Sequence, residues 1–184
     1  MNIEITLGDK SGFKEGSKAL REYARQLEHD ARLMTEAIAM KLQIYAQNNF
    51  KRAVYDMIIP EGGGDPVGST PEVKVSVKHN REFSVVIASG EEAIFVEFGA
   101  GVYYNGGAGS SPHPRGSDLG YTIGSYPTES ARGYNQGTLS VWGFKDENGQ
   151  LKLTHGTKAQ MPMYNAMKTI VSEIDSIARV VFEE

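Results

Sequence analysis

The 184-residue sequence predicts an α+β fold, and three observations carry that prediction: a long helical stretch near the start, an amphipathic helix at the end, and two hairpin-like pairs of short alternating segments between them. Strands paired as hairpins, without βαβ alternation, favour an antiparallel or mixed sheet with the helices packed on it. The length suits a single domain over residues 1–184.

Asn2-Ile3-Glu4-Ile5-Thr6-Leu7 alternates polar and apolar residues before Gly8, so residues 2–7 are expected to form a strand. From Ser17 the period changes. Leu20, Ala24, Leu27, Ala31, Met34, Ile38, Leu42 and Tyr45 recur at spacings of three and four and form one helical stripe. Residues 17–53 hold no proline or glycine, so they accommodate one long helix, or two with a break at His29-Asp30 where Asp30 caps the second. Glycines and prolines between Pro60 and Gly68 oppose regular structure, and 60–72 is expected to be a flexible loop.

Val73, Val75 and Val77 alternate with polar residues, as do Phe83, Val85 and Ile87, and Asn80-Arg81 supplies the turn of a hairpin. Ala93-Ile94-Phe95-Val96-Glu97-Phe98 is apolar but too short to separate a strand from a helical turn. Residues 99–137 form a long loop with ten glycines and five tyrosines. Thr138–Phe144 and Gln150–Thr154 read as strands joined through Asn148-Gly149. Met163, Met167, Ile170, Ile174, Ile177 and Val181 then mark the closing helix, with Pro162 suited to its first turn.

Composition narrows the function classes. Lysine and arginine total 19 against 23 aspartates and glutamates, a net charge of −4, and no basic block suggests a phosphate-seeking surface. No apolar run reaches the roughly 20 residues of a membrane span. Residues 1–13 lack the apolar core of a secretory signal, and the absence of cysteine removes disulfides and thiolate metal sites, which suits synthesis in the cytoplasm.

Chemistry-bearing candidates are few. His29, His79, His113 and His155 are scattered, with no i, i+4 pair for zinc, so no metal and no cofactor is expected. Ser110-Ser111-Pro112-His113-Pro114-Arg115 gathers a hydroxyl, an imidazole and a guanidinium, but sequence neighbours seldom adopt nucleophile–base geometry. Gly99-Ala100-Gly101 opens like a dinucleotide fingerprint and lacks the third glycine. Glu91, Glu92 and Glu97 are carboxylates with no partner visible from sequence. No catalytic residue is assigned. Tyr103, Tyr104, Tyr121, Tyr126 and Tyr134 are the candidate interface residues: the loop's only charges are Arg115, Arg132, Asp118 and Glu129, and a neutral tyrosine-rich loop suits protein contact over nucleic-acid stacking.

The order of elements, with Phe95-Val96-Glu97-Phe98-Gly99-Ala100-Gly101, then Trp142, then Gly156-Thr157 and Gln160-Met161-Pro162-Met163 with Ala166 leading into the last helix, resembles the gene-product-ten-like family of tail-completion, or neck, proteins of long-tailed bacteriophages (siphophages). The likeness covers roughly residues 17–183. It implies a virion structural protein at the head–tail junction that is not an enzyme. It also implies a homo-oligomeric, six-fold ring, with neighbouring connector and tail proteins as partners, no membrane, and at most non-specific contact with DNA in a channel. The competing expectations are a small phage-encoded hydrolase using the His113 region and a DNA-contacting assembly factor.

Overall fold

The computed structural model describes residues 10–61, 63–80, 82–101, 111–116, 142–145 and 148–182. Its elements run α1 (Lys10–Arg52), β1 (Tyr55–Ile59), β2 (Val67–Ser69), β3 (Lys74–His79), β4 (Ser84–Ser89), α2 (Ala93–Phe98), β5 (Ala100–Gly101), β6 (Trp142–Lys145), β7 (Leu151–Thr154), β8 (Gly156–Thr157) and α3 (Pro162–Phe182). The fold is α+β, and every described strand pairing is antiparallel. In place of one sheet there are three: β2-β1-β7-β6, the hairpin β3-β4, and the short ladder β5-β8. The expected strand at 2–7 lies outside the described residues, as do the five loop tyrosines.

α1 is a single helix of 43 residues, about 65 Å long. It starts seven residues before the expected point and does not break at His29-Asp30. There Gln26 Nε2 donates to Asp30 Oδ1 at 2.8 Å, and Arg32 Nη2 meets His29 Nδ1 at 3.3 Å, so the polar pair is used along the helix surface. Lys51 and Arg52 in the last turn oppose the negative end of the helix dipole.

Four strands, β1, β2, β5 and β8, fall where none was expected. β1 follows α1 directly, and β2 interrupts the stretch read as a loop over 60–72. β1 escapes a period-two reading because it carries a bulge between Tyr55 and Ile58, with Asp56 at φ 49°. The β3-β4 hairpin matches its prediction: Asn80 Oδ1 accepts from the amides of Glu82 and Phe83 at 2.8 and 2.7 Å and holds the turn.

The core lies where the C-terminal half of α1 meets everything else. Ala46, Phe50, Ala53, Val73, Val75, Val96 and Ala166 are buried together, contributed by α1 and the residue after it, β3 and the residue before it, α2 and α3. α3 lies antiparallel along one flank of α1: Asn49 Nδ2 donates to the Pro162 carbonyl at 3.0 Å, and farther along, Lys41 Nζ and Tyr45 Oη reach Glu173 at 3.1 and 2.9 Å. On the other flank Gln43 Nε2 donates to the Val75 carbonyl, while Gln47 donates to the Val73 carbonyl and accepts from the Val75 amide. Gln47 thus presents β3 with the donor and acceptor that a neighbouring strand would, and the hairpin's free edge is closed by a helix.

Among the described residues no helix is long and apolar enough to cross a membrane.

Candidate functional site

The most organised polar cluster begins with a short helix. α2 buries Val96 fully, and Phe95 stacks on Tyr55 with ring centroids 6.3 Å apart, so one side of the helix is pinned to the core. Gly99 ends it, donating to the Phe95 carbonyl at 2.7 Å with φ 87°. A side chain is doubly disfavoured there, because a Cβ would sit 3.0 Å from the Ala159 amide nitrogen. The Val96 carbonyl accepts from the amides of Gln160 at 2.9 Å and Met161 at 3.4 Å, and β5 pairs with β8. These bonds draw the start of α3 across the end of α2.

That crossing gives Glu97 its task. α3 begins at Pro162, which has no N–H to satisfy, and its first helical bond runs from the Asn165 amide to the Met161 carbonyl at 2.8 Å. The amides of Met163 and Tyr164 remain, and both donate to Glu97, to Oε2 at 2.8 Å and to Oε1 at 2.9 Å. A residue at the N-cap normally supplies this acceptor from its own side chain. Met161 cannot, so a buried carboxylate from another helix does.

His113 completes the cluster. The Arg115 amide donates to His113 Nδ1 at 3.0 Å, so the ring proton sits on Nε2, which donates to Glu97 Oε1 at 3.1 Å. The imidazole is 8% exposed, between Phe98 at 4.3 Å and Tyr164 at 5.3 Å between ring centroids. Ser111 Oγ donates to the Phe98 carbonyl at 2.7 Å and accepts from the His113 amide at 3.2 Å. Both ring nitrogens are therefore engaged, and the neighbouring hydroxyl points at backbone. In this arrangement no hydrogen bond joins the imidazole to the Ser111 hydroxyl, which bonds the Phe98 carbonyl and the His113 amide instead. What the cluster does is lock the 111–116 segment and the first turn of α3 onto α2.

The other residues singled out from sequence do not join it. The four histidines fall on separate parts of the fold, with His29 on α1, His79 on β3 beside Ser84 Oγ at 2.7 Å, and His155 between β7 and β8. Among the described residues no three His, Asp or Glu side chains gather as a metal site would require. Gly99 and Gly101 prove to be a helix cap and a strand residue. Sequence reasoning underrated Glu97, though a signal was present: a carboxylate between Val96 and Phe98 in an apolar hexapeptide has to find donors if the segment is buried.

A second polar cluster joins the two long helices at the surface. Lys41 and Tyr45 both bond Glu173. Their hydrogen bonds, from Lys41 first, hold the Glu173 carboxyl below its ordinary range. The same bonds raise the Lys41 ammonium and the Tyr45 phenol above theirs.

No protein-family model, curated protein or solved structure matches this chain.

Proposed function

We propose that the chain is a structural protein of the head–tail junction of a long-tailed bacteriophage, acting through contacts with copies of itself and with connector and tail proteins. One observation carries the reading. The two motifs on which the family resemblance rests, Phe95–Gly101 and Gly156–Ala166, meet as one physical unit, through the β5-β8 ladder and through Glu97 on the amides of Met163 and Tyr164. The two motifs then have a shared mechanical role, each supplying the other's hydrogen-bond partners.

Surface character supports the same class of function. Leu20, Tyr23, Leu27, Met40 and Ile44 on α1, and Met167, Val171 and Ile174 on α3, are each at least 40% exposed, and exposed apolar surface on both long helices suits protein interfaces. The bonds of His113 to Glu97 and of Ser111 to backbone support a contact-making role over the competing hydrolase reading.

Deleting the gene from its phage or prophage and imaging the lysate tests the proposal. The expected result is filled heads and finished tails that do not join, with the chain present by mass spectrometry in wild-type virions. Normal particles from the deletion, or virions without the chain, overturn it.

A further inference from the structure

We infer that the N-terminal half of α1 pairs with the same segment of a second copy of this chain, antiparallel, about a two-fold axis near residue 22. The inference does not depend on the neck reading.

The starting point is a stripe that outruns its cover. Leu20, Ala24, Leu27, Ala31, Met34, Ile38 and Tyr45 lie on one face of α1, and α3 covers that face from Asn49 back past Tyr45 and Lys41. Counting one residue of α3 for one of α1 from the Glu173 contact with Lys41 and Tyr45, Phe182 lies beside about residue 34. The β3-β4 turn stops at a similar level on the other flank, where Asn80, Phe83 and Ser84 form a groove with Arg25, His29 and Arg32. On the face that α3 covers, no other described element accompanies α1 for the remaining stretch of about 20 residues, roughly 30 Å. Leu20 is 55% exposed there, Tyr23 52% and Leu27 47%. The same face is thus core along one half of the helix and solvent-facing along the other.

The uncovered part is complementary to its own reverse. Read forwards it runs Ser17, Leu20, Ala24, Leu27, small and large in turn. Set against a second copy running the other way, Leu20 falls opposite the partner's Ala24 and Ser17 opposite the partner's Leu27, and each pairing occurs twice. Every layer then joins one large and one small side chain, which lets helices approach closely and interdigitate. In this register Lys14 lies beside the partner's Glu28, again twice, and Tyr23 packs beside the partner's Tyr23 at the axis. Arg21 meets the partner's Arg21 there, and both exposed guanidiniums extend into water on their alkyl stems. The next register, seven residues farther on, matches Arg21 with Glu28 but drives the partner's first turns into the space of α3. The chosen register brings the partner's first turn up to the C-terminal end of α3, positive helix end to negative. The partner's helix therefore continues, along the face of α1, the cover that α3 begins. Such a contact is isologous and closes on itself, so it pairs subunits and leaves any ring contact to other surfaces.

A single helix pair sits at the low end of stable interfaces, near about 1,000 Å², so the expected dissociation constant is micromolar. Sedimentation velocity of the full chain from about 1 to 100 μM should show monomer passing to dimer, a range centred on that expectation. The double variant Leu20→Glu, Leu27→Glu should remain monomeric throughout, with unchanged circular dichroism, because both positions are exposed within one chain. The natural sequence has no cysteine, so introduced ones report cleanly. Tyr23→Cys should cross-link to its counterpart with a short bis-maleimide. Lys14→Cys should not, lying about 24 Å from its counterpart in the antiparallel pair and beside it in a parallel one. A wild-type chain monomeric across the range, efficient linking through Lys14→Cys, or a dimer that survives the double glutamate but is lost in Val171→Glu each overturns the inference.

Discussion

The two halves of α1 carry the same apolar stripe and have different fates. In the C-terminal half the stripe meets α3, Gln43 and Gln47 tie the adjoining face to β3, and Ala46 and Phe50 are all but inaccessible. In the N-terminal half Leu20 and Leu27 stand about half exposed. Amphipathic periodicity states that a helix has a side to bury, and says nothing of what buries it. That depends on how far the covering elements reach, and α3, at 21 residues against 43, reaches about half way.

Mutation should separate the halves sharply. Phe50→Ala is expected to cost about 3–5 kcal/mol in urea unfolding, and Leu27→Ala less than about 0.5 kcal/mol in dilute, monomeric protein. Equal losses at the two positions would mean that the uncovered half is packed against something within the chain. Nearly as large an effect is expected at the knot that anchors α3. Glu97→Ala leaves three donors without their acceptor and should cost about 3–5 kcal/mol, with Glu97→Gln milder because an amide oxygen still serves part of the set. A near-neutral Glu97→Ala would sink the capping role.

Gln47 comes next. Gln47→Ala removes both of its bonds to β3 and should cost about 1–3 kcal/mol, while Gln47→Glu, which keeps the acceptor for the Val75 amide but cannot donate to the Val73 carbonyl, tests the strand-like pairing more closely. Loss from alanine with full tolerance of glutamate would show that only one of the two bonds matters. The smallest effect concerns pH. Because Glu173 is held below the ordinary carboxylate range by Lys41 and Tyr45, the unfolded chain takes up that proton more readily than the folded one. Its contribution is therefore present above the unfolded carboxylate range and fades as pH falls through the folded value. The difference in Tm between wild type and Glu173→Gln should shrink from pH 7 towards pH 3, and a gap that widens on acidification would refute the assignment.

Periodicity revealed both long helices, the β3-β4 hairpin and Pro162 at the head of α3, since each is a local pattern backed by burial. It did not reveal β1, whose bulge at Asp56 breaks alternation, or β2, whose three residues sit among glycines and a proline. Nor did it reveal the partition into three small sheets, because strand pairing is a contact between distant residues and leaves no local mark. The His113 region drew notice for the right residue types and the wrong reason. Its partner, Glu97, is sixteen positions away, and only the crossing of α2 and α3 shows that the pair closes a helix end.

The β5-β8 and β6-β7 ladders have a further consequence. Gly101 pairs with Gly156 and Trp142 with Thr154, so the ends of the stretch between them are held at points whose partners are two residues apart, and the 111–116 segment ties it to α2 part-way along. Closure entropy for such an excursion grows only logarithmically, by about 0.6 kcal/mol for each doubling of length. The scaffold is therefore nearly indifferent to how many residues lie between Gly101 and Ser111 or between Gly116 and Trp142, so insertions or deletions there should cost little while the His113 contact to Glu97 is kept.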